Sequence, residues 1–222
     1  MFKREESKEK KVGYLKYLGI LLLLGGFGVL IATFFPIIKA YINYYFTPQP
    51  KKEAKVEIVE PDEEITQEIT KETKVVFIDQ DFGLYIPKIG ANSKVIRNVD
   101  PYKESEYDKA LISGVAHAKG TALPNQEGNV FLFAHSAINF YERRKYNVYF
   151  YLLDELEKED EIYVSYQGQI YQYSVLEVKR VNPSEVEYLG KYLPKDTLTL
   201  MTCWPAGANI KRTIVTAVRV QE

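Results

Sequence analysis

The chain has 222 residues, of which 46% are hydrophobic and 27% charged, a composition typical of a globular protein. Its 29 basic and 30 acidic side chains leave a net charge of -1, and no basic stripe with interleaved aromatic residues occurs, which argues against nucleic-acid binding. The single cysteine excludes an intrachain disulfide and a cysteine-based zinc or iron–sulfur centre. We expect no cofactor, and no group of carboxylates suggests a calcium site.

The first predicted element is an uncharged apolar run, LGILLLLGGFGVLIATFFPII, that ends at Ile38. As a helix, this run spans about 30 Å, the hydrocarbon thickness of a bilayer. It is longer than the apolar core of a signal peptide and lacks a small-x-small cleavage site. The alternative, a buried core helix, rarely runs this far without a charge. We therefore predict a transmembrane helix over residues 17–38.

The charges around this run predict its orientation. Basic residues are concentrated before it, while only Lys39 follows closely, and the cationic side of a span stays in the cytoplasm. The preceding basic residues are Lys3, Arg4, Lys8, Lys10, Lys11 and Lys16. Residues 1–16 are thus predicted to be a cytoplasmic tail, and the rest of the chain to lie outside the cell membrane. Residues 39–81 are charged and without sustained periodicity, which indicates an extracellular stalk.

Residues 82–222 form the predicted compact domain, in which short strands predominate. Continuously apolar sequence, as in GNVFLFAH, is typical of a strand buried on both faces. Short strands at regular spacing with few helices favour a β-barrel or a β-sandwich. In chain order, we predict strands at Leu84–Pro87 and Lys94–Val99, a helix-compatible segment at Glu104–Leu111, a strand at Gly128–His135, a short helix at Phe150–Leu156, two strands within Glu161–Val181 joined by a Gln167-Gly168 turn, a loop over 182–196, and strands at Thr197–Cys203 and Arg212–Val220.

Cys203 is the first candidate for chemistry. It ends the alternating strand TLTLMTC, and the loop-forming residues WPAG follow at once. The end of a strand beside a loop is where a nucleophile belongs. Strand alternation places Cys203 on the face of Thr197, Thr199 and Met201, which is not purely apolar. A lone cysteine in an exported domain is either a reactive thiol, a link between two molecules or a buried inert residue.

The sequence offers two histidines as the base for this thiol. His135 ends the apolar strand, which would place it at the rim of a barrel, whereas His117 lies in the glycine-flanked loop GVAHAKG. We favour His135, with a surface or turn histidine as the alternative for each. Arg212 opens the last strand, and residues 204–211 would return it close to Cys203. A nearby cation favours a thiolate and can also stabilise an oxyanion.

These segments together resemble the sortase family. TLTLMTCWPAGANIKRTIV is similar to its signature, in which a TLxTC strand leads through a Pro/Gly loop to an arginine. The spacing from Cys203 to Arg212 resembles that of the class C and D branches. GVAHAKGTALPNQEGNVFLFAHS is similar to the segment that leads to the catalytic histidine, which matches His135, while His117 matches an upstream non-catalytic histidine.

The resemblance implies a closed eight-stranded β-barrel and a cysteine transpeptidase with the catalytic residues His135, Cys203 and Arg212. The partners it implies are secreted proteins with a C-terminal LPxTG-like sorting signal. The second substrate is an amine, from a peptidoglycan precursor or a pilin lysine. Thr202 matches a substrate-lining position, and the loop 182–196 matches the one that shapes signal specificity.

Some features depart from the family pattern, and two other functions stay open. Ala134 stands where many relatives have glycine before the histidine. Asp100-Pro101-Tyr102 resembles a lid motif but is interpreted as a turn, and no second span follows, so anchoring is favoured over pilin assembly.

One alternative function is that of an L,D-transpeptidase, whose cysteine typically lies in an SxGCxR run. The other is a tethered β-domain that binds a partner without catalysis.

Overall fold

We describe the protein from a computed structural model, which covers residues 16–32, 35, 42, 46, 76–136, 150–185, 196–205 and 208–220. By its internal contacts the chain divides into two units, Met1–Pro48 and Gln49–Glu222. In the first unit, residues 16–32 are helical (α1). Among the described residues, no helix is both long and apolar enough to cross a membrane. The span predicted over 17–38 stays a prediction, as does the stalk, most of which lies outside the described residues.

The second unit is built on a closed β-barrel. Its strands follow one another around the barrel in the order β1-β2-β3-β4-β7-β8-β6-β5. The helix α2 spans Glu104–Ser113, and two short 3₁₀ turns cover Pro87–Ile89 and Leu153–Glu155. The strands are β1 Phe82–Ile86, β2 Ala91–Val99, β3 Val115–Ala118, β4 Asn129–Phe133, β5 Glu161–Tyr166, β6 Gln169–Val181, β7 Thr197–Trp204 and β8 Lys211–Arg219. This confirms the predicted eight-stranded barrel.

The barrel interior is filled by aromatic and aliphatic side chains, as the pattern of the strands predicts. Alternate residues of β7 and β8 face inward, and Leu198, Leu200 and Val215 are fully buried there. Tyr173 lies in this core and is almost fully buried, while Tyr163 is buried in a second cluster with Phe77, so part of the abundant tyrosine serves as core. The pKa of the Tyr173 phenol is raised, mainly because the side chain is buried.

Three local predictions are wrong in detail. GVAHAKG is not a loop throughout, because Val115–Ala118 forms β3, a short strand that pairs with β2 and β4. The strand predicted over Gly128–His135 ends at Phe133, so His135 follows the strand and does not belong to it. The helix predicted at Phe150–Leu156 is a single 3₁₀ turn. Each error concerns the presence, extent or type of a short element, which tertiary contacts decide.

Candidate active site

The parallel pairing of β4 with β7 brings two candidate residues to the same rim. Parallel strands end at the same edge of a sheet, and the last pair in this register is Phe133 with Met201. His135 and Cys203 each lie two positions beyond that pair. Beyond the strand, the N–H of Ala134 donates to the carbonyl oxygen of Met201 at 3.2 Å.

The third candidate is delivered by the antiparallel neighbour of β7. In the register of β7 with β8, Cys203 lies directly opposite Arg212. Directly opposed residues of an antiparallel pair have their Cβ atoms about 5 Å apart. The register of the two strands therefore places the Cβ atom of Arg212 beside that of Cys203.

Asn209 connects these two side chains. Its Oδ1 accepts a hydrogen bond from Nη1 of Arg212 and lies 3.8 Å from the Sγ of Cys203, which donates to it as a thiol. Nη1 of Arg212 also donates to the backbone oxygen of Lys211 at 3.1 Å. The guanidinium is thus fixed by its own loop, while the thiol stays half-buried and accessible.

A carboxylate of helix α2 faces the candidate base. Oδ1 of Asp108 lies 3.8 Å from Nε2 of His135, with their side chains 41% and 31% exposed. At this distance the pair attracts when the imidazole is protonated, and partial exposure keeps the attraction modest. Asp108 is therefore the carboxylate of α2 that faces the His135 ring at this rim.

All three predicted catalytic residues line a single cleft of about 390 Å³, and so does Thr202. Helix α2 forms the opposite wall, where Tyr107 lies. Burial is the largest cause that raises the pKa of the Tyr107 phenol; the charges of Glu104, Asp108 and Cys203 raise it further, and Arg212 opposes them. Tyr107 thus lines the same cleft as the sulfur of Cys203 and the guanidinium of Arg212.

Thr202 is held by a contact of its own. It is buried, and its Oγ1 donates to the backbone oxygen of Ala134 at 2.8 Å. The hydroxyl therefore joins β7 to the segment that carries His135. The methyl group and the backbone of Thr202 remain to line the cleft.

Sequence reasoning missed Asp108, Asn209, Tyr107 and Ser136, which also line or face this site. Asp108 and Tyr107 belong to a segment recognised only as polar and helix-compatible. Asn209 lies in the loop expected to return Arg212, and a loop asparagine is usually a turn former. Only Ser136 carried a signal that could have marked it as a site residue, because it follows His135 directly in the sequence. The predicted specificity loop lies largely outside the described residues.

His117 lies outside this cleft, buried in strand β3. Its Nδ1 accepts from the N–H of Asn98 at 3.3 Å, and its Nε2 lies 3.0 Å from the carbonyl oxygen of Ala122 and 3.0 Å from Oγ1 of Thr121. These contacts fit a neutral ring with its proton on Nε2. Burial lowers the pKa of His117, the nearby charge of Arg97 adds to this, and the hydrogen bond to Ala122 opposes it.

The lowered pKa predicts that His117 makes the folded state less stable in acid. As the pH falls below about 6.5, the unfolded state takes up a proton that the folded state resists. Stability is therefore lost from about pH 6.5 down to the lowered pKa, at about 1.4 kcal/mol per pH unit. Urea unfolding at pH 7.5 and pH 5.0 measures this loss, which we expect to be smaller in H117Q. The difference between the losses of the two proteins isolates the contribution of His117. Equal losses in the two proteins would contradict the assignment.

Comparison with known proteins places these observations in a family context. A family model described as the sortase domain matches residues 84–220. The chain is similar to Sortase A of Bacillus anthracis, with 32% identity over 115 residues, which cover 52% of this chain and 51% of that protein. The match thus spans about half the length of this curated relative.

The chain is also similar in fold to solved structures. Sortase C-1 from Actinomyces oris has 31% identity and a TM-score of 0.54, with coverage of 65% of this chain and 77% of that chain. An X-ray structure of Clostridium perfringens sortase C with the C-terminal cell wall sorting motif has 26% identity and a TM-score of 0.52, and here coverage is 63% and 70%. Both agree with the closed barrel described above.

Proposed function

The chain belongs to the sortase family, and from this premise we propose that it is an extracellular, membrane-anchored cysteine transpeptidase. It cleaves a C-terminal LPxTG-like sorting signal and transfers the protein to an amine of the cell envelope. The observation that carries the proposal is the pairing of Cys203 with Arg212 across β7 and β8, in one cleft with His135. Family membership favours this activity over that of an L,D-transpeptidase.

In the first half-reaction, the Cys203 thiolate attacks the carbonyl carbon of the Thr–Gly bond. The electron pair of the C=O bond moves to oxygen, and the resulting oxyanion is stabilised by the Arg212 guanidinium. His135, as imidazolium, gives its proton to the departing glycine nitrogen, and the C–N bond breaks. The product is a thioester between Cys203 and the threonine carbonyl, with neutral imidazole.

In the second half-reaction, an amine attacks the thioester carbon. His135 takes the proton that the amine nitrogen loses, and the thiolate leaves. The new amide bond joins the sorted protein to the acceptor, and the imidazolium–thiolate pair is restored. Asp108 supports the charged imidazole in this state, because its carboxylate lies 3.8 Å from Nε2.

The substrate assignment is supported by a similar protein. The Clostridium perfringens sortase C structure, similar to this chain over 63% of its length, is described with a C-terminal cell wall sorting motif. An acceptor amine from a peptidoglycan precursor or a pilin lysine completes the reaction. The membrane anchor is supported by the uncharged apolar run that ends at Ile38 and by the basic residues before it.

The test uses the full chain in detergent with a library of LPxTG-type peptides and an added amine. We expect a covalent adduct of Cys203 with the peptide, detected by intact-protein mass spectrometry, and a peptide–amine product. A folded protein that forms neither species with any peptide would instead favour a non-catalytic binding domain.

For the anchor, we expect the chain to sediment with membranes and the barrel to be cleaved by protease added to intact cells. Recovery of the chain in the soluble fraction contradicts the anchor.

A further inference from the structure

Ser136 is the one described residue with a buried side-chain polar atom that lacks a hydrogen-bond partner. Its side chain is only 2% exposed, and it lines the cleft together with His135 and Cys203. A buried hydroxyl without a partner costs free energy, so its presence in a native structure calls for an explanation. A ligand that completes the hydrogen bond is one such explanation.

Other buried serines of the described barrel are paired. Oγ of Ser93 donates to the carbonyl oxygen of Lys94 at 2.8 Å, and Oγ of Ser165 donates to that of Asp79 at 2.7 Å. Both belong to the barrel strands β2 and β5 and lie outside the cleft. The lone unpaired hydroxyl is therefore found at the place where the proposed substrate enters.

Ser136 lies two residues beyond a backbone position that hydrogen bonds hold against β7. Both backbone groups of Ala134 are hydrogen-bonded to β7. Its N–H donates to the carbonyl oxygen of Met201, and its carbonyl oxygen accepts from Oγ1 of Thr202. The unpaired hydroxyl thus follows a segment fixed to β7. It is also adjacent in the chain to His135, the residue that handles the proton of the leaving and entering amines in the proposed reaction.

We propose that Ser136 is a peptide-binding residue whose hydroxyl pairs with a backbone amide group of the sorting peptide. The proposal rests on the proposed function and identifies one donor or acceptor in the site. An extended peptide exposes an N–H and a C=O at each residue, and a hydroxyl can pair with either. Because Oγ of Ser136 is buried, the side chain turns about χ1 to another staggered rotamer to meet the peptide.

This role predicts opposite effects on binding and stability. In S136A, the free protein loses only an unpaired hydroxyl, so its Tm stays equal or rises, by up to about 2–4 °C. The bound peptide loses a partner, so its Kd rises about tenfold. A purely structural serine has the reverse pattern. We therefore expect S93A and S165A to lower the Tm and to leave the Kd unchanged.

The experiment measures peptide binding in the full chain carrying Cys203→Ala, so that no turnover interferes. The probe is a fluorescently labelled LPxTG-type peptide, and S136A, S93A and S165A are each added to this background. In the catalytically intact chain, S136A is expected to raise the KM and to leave the rate of Cys203 alkylation by iodoacetamide unchanged. That rate would change if the substitution had displaced the thiol.

Two results overturn the inference, and they differ in what else they overturn. If the parent binds the peptide and S136A binds it equally well, Ser136 has no part in peptide binding, whatever its effect on the Tm. The proposed function then stands. If the folded parent binds no LPxTG-type peptide at any concentration, the proposed function and this inference fail together.

Discussion

Cys203→Ala is expected to abolish the covalent adduct and to reduce transfer by about four orders of magnitude or more. In the proposed reaction, the sulfur bonds to the peptide in the first half-reaction and leaves it in the second, and the chain has no other thiol to replace it. In the described cleft, Cys203 contributes the one thiol, half-buried at the end of β7. The measurement combines the rate of product formation with the intact mass of the protein after incubation with peptide.

The sequence supplies a clean control for this experiment. Because Cys203 is the only cysteine of the chain, any thiol label reports on this residue alone. We expect iodoacetamide to modify the native protein and not the variant, while urea unfolding remains similar, since a half-exposed thiol contributes little to the core. A variant that keeps full turnover would remove Cys203 from the mechanism. A thiol that reacts only in denaturant would favour the non-catalytic binding domain.

The strands that the sequence predicts well are those with a strong hydrophobic pattern. Alternation in TLTLMTC predicts a strand at Thr197–Cys203, and the structure extends it by one residue to Trp204. The Gln167-Gly168 turn correctly separates β5 from β6, with Gln167 and Gly168 both at positive φ. Period and turn chemistry are local properties, so they can be read without knowledge of the fold.

What the sequence does not predict depends on contacts between distant segments. Strand β3 has only the residues Val115–Ala118, too few for a period, and it exists because β2 and β4 flank it. Asp108 and His135 are 27 positions apart in the sequence. They face each other only because α2 packs beside the rim. Asn209 has no distinguishing neighbours in sequence. Its importance arises only when the loop places its amide oxygen between Arg212 and Cys203.

The barrel also explains why residues from three separate segments meet. Strands β4 and β7 run parallel, so their carboxyl ends share one rim and deliver His135 and Cys203 together. Strand β8 runs antiparallel to β7, so its amino end reaches the same rim and delivers Arg212. The resemblance to the sortase family predicts which residues meet, while the register supplies the physical reason.

Arg212→Ala is expected to lower kcat by about 10²- to 10³-fold, the usual effect of losing one oxyanion donor. The Nη1 of Arg212 donates to Asn209 and to the backbone oxygen of Lys211. Further N–H groups of the guanidinium are available for the oxyanion, since a guanidinium has five donors in a fixed plane. Arg212→Lys keeps the charge and loses this fork, so we expect an intermediate loss. Steady-state kinetics of peptide transfer provide the measurement.

Arg219 is the matched control, because it lies at the opposite end of the same strand. Its guanidinium stacks on the ring of Tyr171, with 4.6 Å between Cζ and the ring centroid, and it does not line the cleft. Arg219→Ala removes the same charge from β8 and is expected to change kcat less than threefold, since a surface cation–π contact contributes only about 0.5–1 kcal/mol to stability. If Arg212→Ala and Arg219→Ala reduce kcat equally, the effect is one of charge or strand stability. The guanidinium beside the sulfur then has no role of its own in the reaction.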